Sequence, residues 1–138
     1  MENRKYIHVV QYYETDKMGI THHSNYIRWM EEARVNFLKS IGWDYRKLED
    51  SGIFSPVISV NCKYKTGTTF GDKIEIDIIV TEYNGIKLSL KYLMVNSEGK
   101  IVCEAISQHC FVNVSGKLIR LKKECPDFHD LLISLSDK

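Results

Sequence analysis

Residues 13–42 read YETDKMGITHHSNYIRWMEEARVNFLKSIG, and the fold of the 138-residue chain turns on them. From Ser24 to Ile41, Tyr26, Met30, Ala33, Phe37 and Ile41 recur at spacings of three and four, the period of a helix that buries one face. Trp29, Val35 and Leu38 widen that stripe, so the helix should be largely wrapped by the rest of the chain. Arg28/Glu32 and Glu31/Arg34 stand at helical pair spacing. Ser24 or Asn25 is expected to cap the start, and Gly42 to stop the helix. About seventeen residues at 1.5 Å each give a length of about 25 Å, the width of a small domain.

Everything else reads as strands and turns. Before the helix, Lys5 to Tyr13 is rich in β-branched and aromatic residues and predicts a strand with large groups on both faces. After it, Asp44 to Ser51 predicts a short helical turn ended by Gly52. Beyond Pro56, Ile58, Val60, Cys62 and Tyr64 alternate with Ser59, Asn61, Lys63 and Lys65, the pattern of a half-buried strand. Ile74, Ile76, Ile78 and Val80 predict the next strand, and Leu88, Leu90, Tyr92 and Met94 its return. Asn84-Gly85 between them signals a type I′ hairpin, which needs positive φ at both positions. Ile101 to Val114 predicts a long last strand, and Pro126 opens a small helix with Phe128, Leu131, Leu132 and Leu135 on its apolar side. The order is strand, long helix, then four antiparallel strands in hairpin succession. One helix and one meander must share a core, which predicts an α+β domain over 1–138 with a five-stranded antiparallel sheet curled around one long central helix.

Composition narrows the function classes. Hydrophobic residues make up 43% and charged residues 27%, with a net charge of +1, so no overall charge draws the chain to nucleic acid or an anionic membrane. No apolar run is long enough for a membrane span or a signal-peptide core. Cys62, Cys103, Cys110 and Cys125 show no C-x-x-C spacing and read as thiols of a reducing compartment, so a cytoplasmic protein is expected.

The chemistry-bearing residues gather before the helix. Asp16 lies too far from Ser24 to cap it, and Gly19 lets the backbone fold back toward the helix start. A carboxylate near free N–H donors is suited to act as base or nucleophile on an electrophile those donors polarise. His22 and His23, with Asp16 or Glu14, invite a metal reading, but no H-x-x-x-H ligand spacing supports it. There is no G-x-S-x-G elbow and no phosphate-binding glycine loop. Lys63 and Lys65 on one strand, and Lys87 and Lys91 on another, could meet anionic groups or line solvated faces.

Tyr12-x-x-Thr15-Asp16-x-x-Gly19-x-x-x-His23-Ser24-Asn25-Tyr26-x-Arg28-Trp29-x-Glu31-x-Ala33-Arg34 resembles the 4-hydroxybenzoyl-CoA thioesterase family of hotdog-fold proteins, in its bacterial short acyl-CoA branch. Pro56 to Tyr64 and Gly71-Asp72 are similar to its next part. The resemblance implies a hotdog fold and hydrolysis of an acyl or aryl thioester to free acid and CoA thiol. It implies Asp16 as catalytic carboxylate, nucleophile or general base, and a backbone N–H at His23 that polarises the carbonyl, the imidazole positioning. It implies Gly19, Asn25, Tyr26 and Glu31 near the substrate, and Lys63, Lys65 and Lys87 as candidates for the CoA phosphates. It implies no cofactor, coenzyme A being part of the substrate, no metal, acyl-CoA or an acyl carrier protein thioester as ligand, and a homodimer or dimer of dimers. The chain departs from the branch at Glu14, where Asp is frequent, and at His22, where Tyr is common, the latter bearing on acyl specificity. Two other readings stay open: a non-catalytic acyl-CoA binder, and an acyl-thioester dehydratase or hydratase using Glu31 or Glu32, whose Gly-His-Phe-Pro lead-in is missing.

Overall fold

A computed structural model describes residues 5–136. In chain order the elements are β1 (Tyr6–Val9), α1 (Ser24–Ser40), α2 (Tyr45–Asp50), β2 (Val57–Tyr64), β3 (Lys73–Tyr83), β4 (Lys87–Val95), β5 (Ile101–Cys110), α3 (Leu121–Glu124) and α4 (Pro126–Ser136). The five strands make one antiparallel sheet in the order β1-β3-β4-β5-β2. Trp29, Met30, Ala33 and Phe37 of α1 share a core with Ile74, Ile76, Ile78 and Val80 of β3 and Leu90, Tyr92 and Met94 of β4. Each fully buried Val, Ile, Leu, Met or Phe side chain among them contributes about 1.5–3 kcal/mol. One antiparallel sheet on one long helix is the arrangement the periodicity predicts, and it is the hotdog architecture the resemblance implies. Phe128 and Leu132 of α4 close the far end of the same core, Phe128 stacking near Trp43. No helix among the described residues is long and apolar enough to cross a membrane.

Several local expectations need correction. The first strand ends at Val9, and Tyr12–Glu14 forms a 3-10 turn with both tyrosines exposed. The Glu14 carboxylate accepts from the Gln11 N–H at 2.8 Å and turns the chain so that Glu14 goes inside instead of Tyr12 or Tyr13. The four later strands do not follow in hairpin succession. Only β3, β4 and β5 form a meander; β2 crosses to the far edge and pairs with β5 from Tyr64↔Cys103 to Val57↔His109. The connection to β3 is pinned where Thr21 N–H meets Thr68 O and Val10 N–H meets Asp72 O, both at 2.9 Å. As an edge strand β2 is exposed along nearly all its length, not half-buried. Beside it α1 is incompletely wrapped, with Ile27 46% and Val35 41% exposed.

Ser24 and Asn25 do not cap α1. His23 holds the cap position, Ser24 is the first helical residue, and the Asn25 side chain reaches back to Glu14 O at 3.0 Å and His22 O at 3.2 Å. The β3–β4 turn is not type I′, because Asn84 has no positive φ. Its central residues are Gly85, at φ +91, and Ile86, while the Asn84 side chain accepts from the N–H groups of Ile86 and Lys87 at 2.9 and 2.8 Å. The last strand stops at Cys110, and Val112 instead bridges Phe54 and Leu118.

Candidate active site at the start of α1

The segment entering α1 doubles back on itself. Thr15 bridges Thr21, Asp16 N–H donates to Ile20 O at 2.9 Å, and Gly19 N–H to Asp16 O at 2.9 Å. Gly19 sits at φ +78, where a side chain is strained. Asp16 is exposed. Its Oδ1 accepts from Met18 N–H at 2.8 Å and Ile20 N–H at 3.4 Å, the Asx pattern of a turn-former. Its Oδ2 accepts nothing from the described residues. One carboxylate oxygen thus builds the loop while the other stays open. Only Thr21 and His22 separate Ile20 from His23, a span of at most about 11 Å, so with the Asp16–Ile20 hydrogen bond of 2.9 Å the Asp16 and His23 backbones lie within about 14 Å.

His23 has helical backbone angles, φ −59 and ψ −26. The neighbouring donors are taken: Ser24 N–H by His22 Nδ1 at 3.2 Å, Asn25 N–H by His22 O at 3.0 Å, Tyr26 N–H by His23 O at 3.2 Å. The His23 N–H donates to no acceptor among the described residues. It stands at the positive end of a seventeen-residue helix. The His23 ring stacks on His22 at 4.4 Å and meets Tyr64 of β2 edge-on at 6.1 Å.

Buried polar groups fix this loop. Glu14, 4% exposed, accepts from Gln11 N–H, from His8 at 2.9 Å and from Trp29 Nε1–H at 2.9 Å. Burial alone would push the Glu14 carboxyl up, but the hydrogen bonds from Gln11, His8 and Trp29 override it and hold the group below the ordinary carboxylate value. His8 also meets Glu32 at 2.9 Å, and Tyr6 donates to the same oxygen at 2.8 Å, so β1, the turn and α1 are tied together. On the other side Tyr26, Thr68 and Thr21 form a hydroxyl chain, with Tyr26 Oη 3.0 Å from Thr68 Oγ1 and Thr68 donating to Thr21 at 2.6 Å.

The loop that carries Asp16 and Gly19 is thus tied to the start of α1, where His23, Asn25 and Tyr26 stand: Thr69 Oγ1 donates to Gly19 O at 2.8 Å, and Thr21 joins Thr68 and Tyr26. Lys63 and Lys65 flank Tyr64 at the same end of the sheet. Glu31 lies two turns along α1, held by Tyr45 at 3.0 Å and Arg34 at 3.4 Å. Lys87 opposes Cys110, while Tyr64 opposes Cys103, so Lys87 stands at the other end, about 23 Å away along β5. Two assemblies went unread in the sequence. One is the Glu14–His8–Glu32 network. The other is a buried chain of Arg34, His109, Ser107 and Tyr92. Its signal was Arg34, four residues from both Met30 and Leu38 and so on the apolar stripe itself.

Residues 10–130 match the thioesterase-like superfamily. YneP of Bacillus subtilis, whose name gives it a provisional acyl-CoA thioesterase activity, is 37% identical over 121 residues, 87% of this chain and 88% of that one. Among solved structures, the DHNA-CoA thioesterase of Staphylococcus aureus superposes with a TM-score of 0.89 at 28% identity, covering 97% of this chain and 94% of that one. A hypothetical protein of Aquifex aeolicus gives a TM-score of 0.83 at 35% identity over 89% of this chain and 96% of that one.

Proposed function

The chain belongs to the thioesterase-like superfamily, and we propose that it hydrolyses an acyl- or aryl-CoA thioester to free acid and CoA thiol at the start of α1. The observations that carry the reading are the open Oδ2 of Asp16, on a loop folded back toward the start of α1, and the helix-terminal N–H of His23, with no protein acceptor among the described residues. A thioester oxygen placed on that N–H is polarised there, and such a donor is worth up to about 3–4 kcal/mol in the transition state. Asp16 Oδ2 then attacks the carbonyl carbon, expelling CoA thiolate and leaving an anhydride that water opens. Alternatively it takes a proton from a water that attacks the same carbon. In both routes the C–S bond breaks, one water is consumed, and the thiolate takes up a proton. The His23 ring, stacked on His22 and Tyr64, is a positioning group in this scheme, and Lys63 and Lys65 are the nearest candidates for the CoA phosphates.

The exposed edge of β2 supports a homodimer. Val57, Ile58, Val60 and Tyr64 there, and Ile27 beside them, leave apolar surface next to an unpaired strand edge. A thiol-release screen of the wild-type protein over short-chain, long-chain and aromatic acyl-CoAs tests the activity. Equal amounts of thiol and acid are expected. Tight binding without thiol points to a ligand-binding protein instead, and loss of crotonyl-CoA absorbance without thiol points to a hydratase.

A further inference from the structure

Between α1 and β2 lies a pocket of about 280 Å³, one of whose lining residues, Met30, has its sulfur 3.6 Å from that of Cys62. Ile27, Met30 and Val60 give this pocket apolar walls, and Tyr92, Ser107 and His109 line its buried end. Ile27 and Met30 are four and seven residues beyond His23, so the pocket lies about 6–10 Å along the helix from the His23 N–H, the depth of one or two aromatic rings.

The hydrogens at that buried end can be counted. Arg34 has donors only, so its contact with His109 Nδ1 makes that nitrogen an acceptor. The imidazole is neutral, because burial first and the Arg34 charge second push its pKa down to about 3. Its proton is therefore on Nε2, 2.7 Å from Ser107 Oγ, which is itself 2.7 Å from Tyr92 Oη. Three hydrogens, on His109 Nε2, Ser107 Oγ and Tyr92 Oη, serve these two contacts. Whichever way the Ser107–Tyr92 bond runs, one hydroxyl hydrogen is left over. It finds no acceptor among the described residues, on groups only 1–3% exposed. A buried donor left unmade is costly, and a chain of bonds that begins at a guanidinium polarises the last O–H toward an electron-rich oxygen.

We infer that this pocket seats the acyl group, and that Ser107 and Tyr92 select acyl groups bearing a hydrogen-bond-accepting oxygen distal to the thioester. The inference rests on thioester hydrolysis at Asp16 and His23. An acyl group with a distal hydroxyl, phenol or carbonyl satisfies the surplus donor; a plain hydrocarbon strands it, the situation in which a site rejects the analogue that lacks the oxygen.

The test compares kcat/KM for 4-hydroxybenzoyl-CoA and benzoyl-CoA by thiol release, in the wild type and in the Tyr92→Phe/Ser107→Ala double variant. The wild type should prefer the hydroxylated substrate at least tenfold. In the double variant the hydroxylated substrate should slow at least tenfold while benzoyl-CoA speeds up. General damage to the fold would slow both together, so opposed movement is the signature. Should the double variant fail to fold, inhibition of the wild type decides: 4-hydroxybenzoate should compete at least tenfold more tightly than benzoate. Equal handling of the two substrates by a wild type that releases thiol from each overturns the subsite and leaves the hydrolase standing. Absence of thiol release from any acyl-CoA overturns the hydrolase and this inference with it.

Discussion

Acidification should weaken this protein through His109 before it touches the carboxylates. His109 is 1% exposed, faces Arg34 on one side and Ser107 on the other, and cannot accept a proton without placing two cations in contact in the core. Its pKa falls from an ordinary 6.5 to about 3 on folding, burial being the larger cause and Arg34 the second. A histidine depressed in the folded state binds its proton only in the unfolded chain between those values. Stability from this group is therefore present above the unfolded pKa and drains away as pH falls below it. The slope is about 1.4 kcal/mol per pH unit, which gives a loss of about 2.5 kcal/mol between pH 7 and 4.5. Urea unfolding at half-unit steps from pH 7 to 4.5 measures it, with His109→Gln as the reference that cannot titrate. The wild type should lose about 2–3 kcal/mol more than the variant over that range. Parallel pH profiles for the two proteins would refute the reasoning, because they would mean that His109 is protonated in the folded state or accessible to water.

Three further perturbations probe the frame around the site. Glu14→Gln removes the anion that Gln11 N–H, His8 and Trp29 all meet, and should lower stability by about 2–4 kcal/mol at pH 7, read as a drop in Tm. Because the Glu14 pKa is lowered on folding, its contribution is lost as pH falls through the folded value, so the gap between variant and wild type should close in acid. Gly19→Ala meets no atom within 4 Å but forces a side chain to φ +78. It should strain the Asp16 loop by about 1–2 kcal/mol and lower kcat more than it lowers Tm, as paired kinetics and calorimetry would show. Asp44→Ala removes the acceptor that caps α2 at Lys47 N–H, 2.9 Å away, and should cost about 1 kcal/mol in urea unfolding without changing thiol release.

The long helix was legible because its period is local: Tyr26, Met30, Ala33 and Phe37 declare one face whatever they pack against. The same is true of β3, where Ile74 to Val80 alternate and all four turn inward. The place of β2 was not legible. An alternating strand pairs equally well with β3 or β5 on its own evidence, and the crossover is decided by contacts of Thr68 and Asp72 with Thr21 and Val10. Burial on β2 failed with it, since alternation reports two unlike faces but not whether a neighbour covers either one. Asn84-Gly85 was read as the centre of its turn, whereas Asn84 uses its side chain from the preceding position. At the candidate site, Asp16 and His23 were found through their spacing from a helix start. Glu14 and His109 were not, because each acquires its meaning from partners on other elements, Trp29 and Arg34 in turn.

The account stands most directly on Asp16. Steady-state thiol release by Asp16→Asn, on the acyl-CoA the wild type turns over fastest, is the measurement that tests it. Asparagine keeps an oxygen for the N–H groups of Met18 and Ile20, so the loop and Tm should hold. A group that attacks the thioester or activates its water is lost, so kcat should fall at least about a hundredfold. Turnover close to the wild-type rate would contradict the account and leave Asp16 as a turn residue alone.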